Sequence, residues 1–393
     1  MRQVQFLIFF IIVLGFYGLV NWYIFSRGLM SFEPGTGLRQ AYVWAFWLLA
    51  ISYPLGRILE KLYLSQLSDF FTWAGSFWLA AMVYILIAVI AFDLLRIVNH
   101  FVPFFEKLIP SELFQRPYFF TISVATAVFL LVFAGHLNAL LPRTNQLSII
   151  VNKSLPETRK LRIAMISDIH LGTVISTKRL SRMIEHLNSV EPDVIMIPGD
   201  LVDEDLEPVV KQNLGALFSK LNAPLGVYAS TGNHEYIGGA DAAVDYLRAH
   251  GIKVLRDTAV QINPGLWVIG RNDIESNRFA GKKRKSLAEI TKNIPAEDVR
   301  IVLDHQPRAY EEAQEQQTDL ILSGHTHHGQ LWPFNYITQK MFPLSWGYKQ
   351  FGQMHAYVSS GIGTWGPPVR IGNRPEVVVI TLNFNGKRPA QSY

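Results

Sequence analysis

Four apolar runs, at residues 4–25, 41–59, 73–98 and 118–141, set the first limit on how this chain can fold. A bilayer core takes roughly 20 apolar residues as helix, and each run meets that length or nearly so. Trp22, Tyr23, Tyr42, Trp44, Trp73 and Tyr118 stand near run ends, as interfacial aromatic belts do. The first run is long for a signal peptide and no small-residue cleavage site follows it, so it reads as a retained span. Four such runs in succession speak against buried helices of one large soluble domain. The 393 residues are 49% hydrophobic and only 17% charged. That apolar excess lies before about residue 141, and the rest has the composition and length of one globular domain.

Two ionisable residues fall at or near membrane depth, Asp93 and His136. Such residues either mark functional sites or pair at the interface. Asp93 has Arg96 at hand, and His136 precedes Asn138 near the end of the fourth run. Pro54 and Gly56 are expected to end or kink the second. An even number of spans puts the N-terminus and the C-terminal region on one side. That side carries Arg2, Arg57, Lys61, Arg143, Lys153, Arg159, Lys160 and Arg162, against Arg27, Arg39, Arg96, Lys107 and Arg116 on the other. The basic excess favours a cytoplasmic C-terminal region. The net charge of +5 is a mild bias toward anionic substrates or lipid headgroups. The run Lys282-Lys283-Arg284-Lys285 fits a solvated loop better than a nucleic-acid contact. With no cysteine, disulfides and thiolate-bound metal are excluded.

Residues 142–160 read as a short tether after a membrane region of 1–141, with a possible first strand at 147–151. From 161 to 393 the pattern alternates. Strands are expected at 161–167, 193–198 and 225–230, with helices at 178–189 and 240–250. Shorter strands follow near 252–255 and 266–270, then a helix at 286–293. Strands at 300–304, 320–323, 357–360 and 377–382 complete the series. Alternating βα units with a strand-rich tail give an α/β or α+β domain of two packed sheets.

Five blocks follow these strands: Asp168-Ile169-His170, Gly199-Asp200, Gly232-Asn233-His234-Glu235, His305 and Gly324-His325-Thr326-His327. Loops at strand ends can bring distant residues to one sheet edge. The blocks supply carboxylates, an amide and imidazoles, which suit Mn, Fe or Zn better than the all-oxygen shells of Mg or Ca. Each block alone is weak, because a histidine after a strand is as often a packed residue as a ligand. The ordered set is specific.

Across residues 145 to 385 the chain resembles the calcineurin-like metallophosphoesterases. The stretches Ser323-Gly324-His325-Thr326-His327-His328-Gly329-Gln330 and 361–370 are similar to the bacterial YkuE- and YaeI-type subgroup and to transmembrane proteins with a metallophosphoesterase domain. The resemblance implies an αββα sandwich, two divalent transition-metal ions and, with the spans, a bacterial inner membrane. It implies Asp168, His170 and His327 on the first ion, and Asn233, His305 and His325 on the second, with Asp200 bridging. His234 is implied beside the substrate phosphate as the catalytic partner of Asp200, with Glu235 positioning the loop. Two metals activate a shared water for in-line attack on phosphorus. His328 stands where the subgroup commonly has glycine, and reads as a substrate contact or an exposed loop residue. Arg370 reads equally as a phosphate ligand or a surface ion pair. Gly361, Gly363 and Gly366 suggest a tight turn near the site.

The expected function is a membrane-anchored, metal-dependent phosphoester hydrolase. By analogy with family members, a lipid-linked phosphate such as a phospholipid or UDP-diacylglucosamine is the leading substrate, with membrane lipids as further partners and no nucleic acid. A phosphodiesterase on soluble nucleotides, anchored by the spans, is the second reading. A transporter or sensor with a regulatory domain is the third. It would be expected to show more polar midspan residues or broken helices than this chain has.

Overall fold

The computed structural model describes residues 2–104, 118–156 and 158–386, and the chain forms two compact units, Met1–Gly135 and His136–Tyr393. The first holds α1 (Arg2–Leu29), α2 (Gly37–Leu62), α3 (Gln66–Phe101) and most of α4 (Tyr118–Ala139), whose last turn belongs to the second unit. All four are long and apolar enough to cross a membrane. Lys107, Arg116 and the side chain of Arg2, used above to orient the spans, lie outside the described residues.

Of the two outcomes expected at Pro54 and Gly56, an end or a kink, α2 does not end there but runs on to Leu62. Proline removes the donor that would satisfy the carbonyl four residues back. That carbonyl, on Ala50, accepts a hydrogen bond from the Tyr17 hydroxyl of α1 at 2.6 Å instead. Gly56 lets α2 approach α3 closely, since a Cβ there would strike the Thr72 backbone. Asp93 pairs with Arg27 at 2.8 Å and accepts from the Tyr23 hydroxyl at 2.6 Å, rather than pairing with Arg96.

The second unit contains two six-stranded sheets, ordered β1-β12-β2-β3-β4-β5 and β10-β11-β9-β8-β7-β6. In the first, β2 (Lys160–Met165), β3 (Val194–Pro198), β4 (Val227–Ser230) and β5 (Lys253–Leu255) are parallel. In the second, β7 (Leu266–Gly270), β8 (Val299–Leu303), β9 (Leu320–Ser323) and β11 (Met354–Val358) are parallel. Period-two alternation sorts the side chains into layers. Ile163, Met165, Val194, Met196, Ile301, Leu303, Leu320 and Leu322 fill the space between the sheets. Their neighbours Ala164, Ile195 and Ile197 face the outer helices, including α5 (Thr177–Ser189) and α7 (Ala240–Ala249). Val302 and Ile321 pack in the other outer layer. Strands buried on both faces read as continuous apolar runs, which is why these were visible in the sequence. The result is an αββα sandwich.

Three strands depart from the expected pattern. β1 (Arg143–Val151) occupies most of the stretch read as a tether and pairs in parallel with β12 (Glu376–Phe384). Ile149 and Val151 reach the inter-sheet core while Ile150 is exposed, so only half of β1 carries an apolar signal. β6 (Thr258–Asn263) and β10 (Gly347–Phe351) are the outer strands of the second sheet and have no buried residue, so no hydrophobic pattern marked them.

Candidate metal centre

The parallel strands of both sheets deliver the five sequence blocks to one edge. Asp168 and His170 follow β2, Asp200 follows β3, and Asn233 and His234 follow β4 and open the short helix α6 (Asn233–Gly238). His305 follows β8, and His325 and His327 follow β9. Asp168, His170 and His327 converge with all ligand atoms within 4.8 Å of one another, and Asp200, His305 and His325 do the same. Asp200 Oδ2 lies 3.0 Å from His305 Nε2 and 3.8 Å from His170 Nε2, between the two clusters. Asn233 Oδ1 lies 2.9 Å from His325 Nδ1 and 3.1 Å from His305 Nε2.

The backbone accepts strain to make this convergence. Asp168, His170, Asp200, His325 and His327 all have φ between 45° and 70°. The left-handed region costs an L-residue roughly 1–2 kcal/mol, although Asp and His tolerate it better than most. Hydrogen bonds between loops hold it: His170 N donates to Asp200 O at 3.1 Å, and Gly363 N to Asp168 O at 3.0 Å. Gly232 has no room for a side chain, because a Cβ would collide with the Asp200 carboxylate. Glu235 is buried and acts as a clamp. Its carboxylate accepts from Gly232 N (2.7 Å), Asp200 N (3.1 Å) and Val202 N (2.9 Å), which joins the loops after β3 and β4.

The donor set fits divalent cations. His170 Nε2 and His327 Nε2 face each other at 3.0 Å, an arrangement that needs a shared proton or a cation between them. Burial, with help from His170 and Arg370, holds the His327 imidazole well below its ordinary pKa. Burial and the neighbouring His305 bring His325 down to about 3. Both are therefore in the neutral form that binds metal. His305 Nδ1 lies 2.8 Å from Pro198 O. A donor there fixes the ring with Nε2 toward the cluster, as outer partners of metal-bound histidines do. Burial would raise the Asp200 carboxyl, but His305, His234 and His170 outweigh it and keep Asp200 ionised.

His234 is buried beside these clusters. Burial alone would depress its pKa, but Asp200, Asp203 and Glu204 outweigh that and push it up to about 9. Asp203 is the residue the sequence reading missed. Its Oδ1 sits 3.1 Å from His234 Nδ1 and 3.6 Å from His170 Nδ1. The signal that would have found it is the second aspartate of Gly199-Asp200-Leu201-Val202-Asp203, which the turn after β3 returns to the site.

The two residues considered as substrate contacts, Arg370 and His328, differ in setting. Arg370 is neither a surface ion pair nor open to substrate, for it is fully buried. Its guanidinium donates to Gly361 O (3.1 Å), Gly363 O (2.7 Å) and Asn373 Oδ1 (2.9 Å), and lies 3.3 Å from His327 Nδ1. It braces the turn at 361–363. His328 is half-buried, with its ring 5.0 Å from that of Trp346. Trp365 reaches the site instead, edge-on to His234 with ring centres 5.7 Å apart.

Residues 161–329 match the family model of the calcineurin-like phosphoesterases. An uncharacterized metallophosphoesterase of Aquifex aeolicus is 35% identical over 64% of this chain and 96% of its own length. One from Campylobacter jejuni is 30% identical over 98% of this chain and 100% of its own, so that similarity includes the apolar helices. A transmembrane protein with metallophosphoesterase domain from Danio rerio is 32% identical over 61% of this chain and 57% of its own. With the sandwich, the clustered ligands and these relatives in view, the chain belongs to the metallophosphoesterase family of metal-dependent phosphoric ester hydrolases.

Proposed function

We propose that this protein is a membrane-anchored phosphoesterase that uses two divalent transition-metal ions, Mn, Fe or Zn, to hydrolyse a phosphoester or pyrophosphate bond. The observation that carries the reading is the pair of buried ligand clusters sharing Asp200 at one sheet edge. Asp168, His170 and His327 would hold one ion and Asn233, His305 and His325 the other, with the Asp200 carboxylate between them. Divalent ions at such a site acidify a water and neutralise phosphoryl oxygens.

His234 would stand beside the scissile bond and hold a proton for the leaving oxygen. Its acidic neighbours favour the charged imidazolium, and cations bound by Asp200 offset part of that push. Asp203 would orient the ring.

A lipid-linked phosphate, a phospholipid or UDP-diacylglucosamine-like molecule, is the substrate class we favour over soluble nucleotides. Support comes from the last turn of α4. His136 Nδ1 lies 2.7 Å from Pro368 O, and Asn138 Nδ2 donates to Arg370 O at 2.9 Å and to Asn373 O at 2.7 Å. Within the second unit, the residues that close this apolar helix are thus bonded to the loop that carries Trp365 and Arg370. The basic bias of alternate loops supports a cytoplasmic catalytic unit at a bacterial inner membrane.

The test is hydrolysis by the purified full-length chain, reconstituted with manganese. Bis-p-nitrophenyl phosphate and p-nitrophenyl phosphate would be compared with vesicle-borne phospholipid and UDP-diacylglucosamine. Metal-dependent turnover that favours the lipids supports the whole reading. Turnover of soluble esters alone leaves an anchored phosphodiesterase, and no turnover by a metal-loaded protein rejects the reading.

A further inference from the structure

The segment after the last ligand block is apolar and uncovered. Trp332, Phe334, Tyr336, Ile337 and Met341 are between 38% and 56% exposed, and the helix α8 (Asn335–Met341) buries no residue. Trp365, 52% exposed, extends the same surface. The two segments are tied side by side: Gln330 Nε2 donates to Trp365 O at 2.9 Å, and Trp332 N donates to Ile371 O at 2.8 Å. A soluble surface seldom gathers large apolar side chains in this way. Here they adjoin the metal centre, because His327 lies just upstream and Trp365 touches His234.

The chemistry of the patch names its occupant. Tryptophan and tyrosine mixed with Ile and Met, and with Lys340 exposed among them, suit a lipid headgroup boundary, where rings sit amphipathically and a lysine meets anionic lipid. The patch is also tied, within the same unit, to residues 136–139, which close the fourth apolar run. The loop 365–373, bonded to Gln330 and Trp332 on one side, receives the hydrogen bonds of His136 and Asn138 on the other. A span that leaves the hydrocarbon ends at the interface. What is bonded to that end lies close to the interface as well.

We propose that Trp332–Met341 together with Trp365 is a lipid-docking surface of the second unit, inserted at the bilayer boundary beside the metal centre. This holds whatever the hydrolysed substrate is, and it adds a fixed membrane contact to the four spans.

The chain contains no cysteine, so single cysteines can be placed without background. Ile337→Cys, Met341→Cys and, as a control on the same unit, the exposed position Val210→Cys would each carry an environment-sensitive fluorophore. The full-length protein would be reconstituted in vesicles of phosphatidylcholine and phosphatidylglycerol, with or without brominated acyl chains. We expect brominated lipid to quench the labels at 337 and 341 several-fold more than the label at 210, and aqueous iodide to show the reverse order. Iodide quenching at 337 and 341 equal to that at 210 would overturn the proposal. So would protection from both quenchers, because a protein surface such as a second copy would then cover the patch. Since neither readout involves turnover, failure here is separate from failure of the hydrolase reading.

Discussion

His234 Nδ1 lies 3.1 Å from Asp203 Oδ1, and no other carboxylate among the described residues comes as close to that ring. The pair couples the loops after β3 and β4. Replacing His234 with Asn should lower kcat by about 10²–10⁴, the usual worth of a positioned acid. Asp203→Asn should cost roughly 10–100-fold, since it disturbs orientation and leaves the ring in place. Metal content should stay near that of the parent in both. Loss of metal from the His234 variant would show that the ring is a ligand.

Among the described residues, Asp200 is the carboxylate that lies within 4 Å of a histidine in each cluster, 3.0 Å from His305 and 3.8 Å from His170. Asp200→Asn keeps the shape but removes the negative charge and leaves one neutral oxygen, so both ions should be held less tightly. Second-coordination changes already cost 10–100-fold in affinity, and a bridging ligand should cost at least that. Elemental analysis after gel filtration would show fewer than two ions per chain. Full occupancy in the variant would remove Asp200 from the bridging position.

Most of the candidate site was legible because its candidate ligands are short polar blocks placed after apolar strands. Asp168, Asp200 and His325 stood out for that reason, and so did the core strands that bring them together. Asp203 was not legible, since an aspartate three residues past Asp200 looks like a solvated loop residue until the turn is known. Arg370 was misread for a similar reason. Sequence shows a cation near glycines, and only the fold shows its donors spent on the carbonyls of Gly361 and Gly363. The outer strands β6 and β10 carry almost no buried apolar pattern and escaped on that account.

Because Arg370 is a brace, its loss should appear as instability and disorder of the turn at 361–363. Arg370→Met leaves the buried Gly363 carbonyl without a donor, at about 1–3 kcal/mol for a group left unsatisfied, while the Gly361 carbonyl keeps its bond from Glu376 N at 3.2 Å. Thermal unfolding should therefore shift down, and kcat should fall through the misplaced His327 and Trp365. KM for a soluble ester should change little. A variant with a normal Tm and a raised KM would restore Arg370 as a phosphate contact.

Far from the metal centre, Lys153 Nζ donates to Asp319 Oδ2 at 2.8 Å and to Asp298 O at 2.8 Å, while Arg300 N donates to the same Asp319 oxygen at 2.8 Å. Burial pushes the Asp319 carboxyl above its ordinary value, and Lys153 opposes that push. A raised folded-state pKa means that the folded chain holds more protons than the unfolded one between the two values. The contribution of Asp319 to stability is thus full at low pH and declines as pH rises from about 4 through the folded pKa. Lys153→Met removes the compensating cation, raises the folded pKa further and widens that window. The variant should lose about 3 kcal/mol at pH 8, the scale for a buried charge deprived of its partner, and much less at pH 5. Titration of the metal-site groups is common to parent and variant, so the difference in Tm between them isolates this pair. An equal Tm difference at pH 5 and pH 8 would mean that Lys153 acts through packing and its bond to Asp298 O, with no part played by the Asp319 charge.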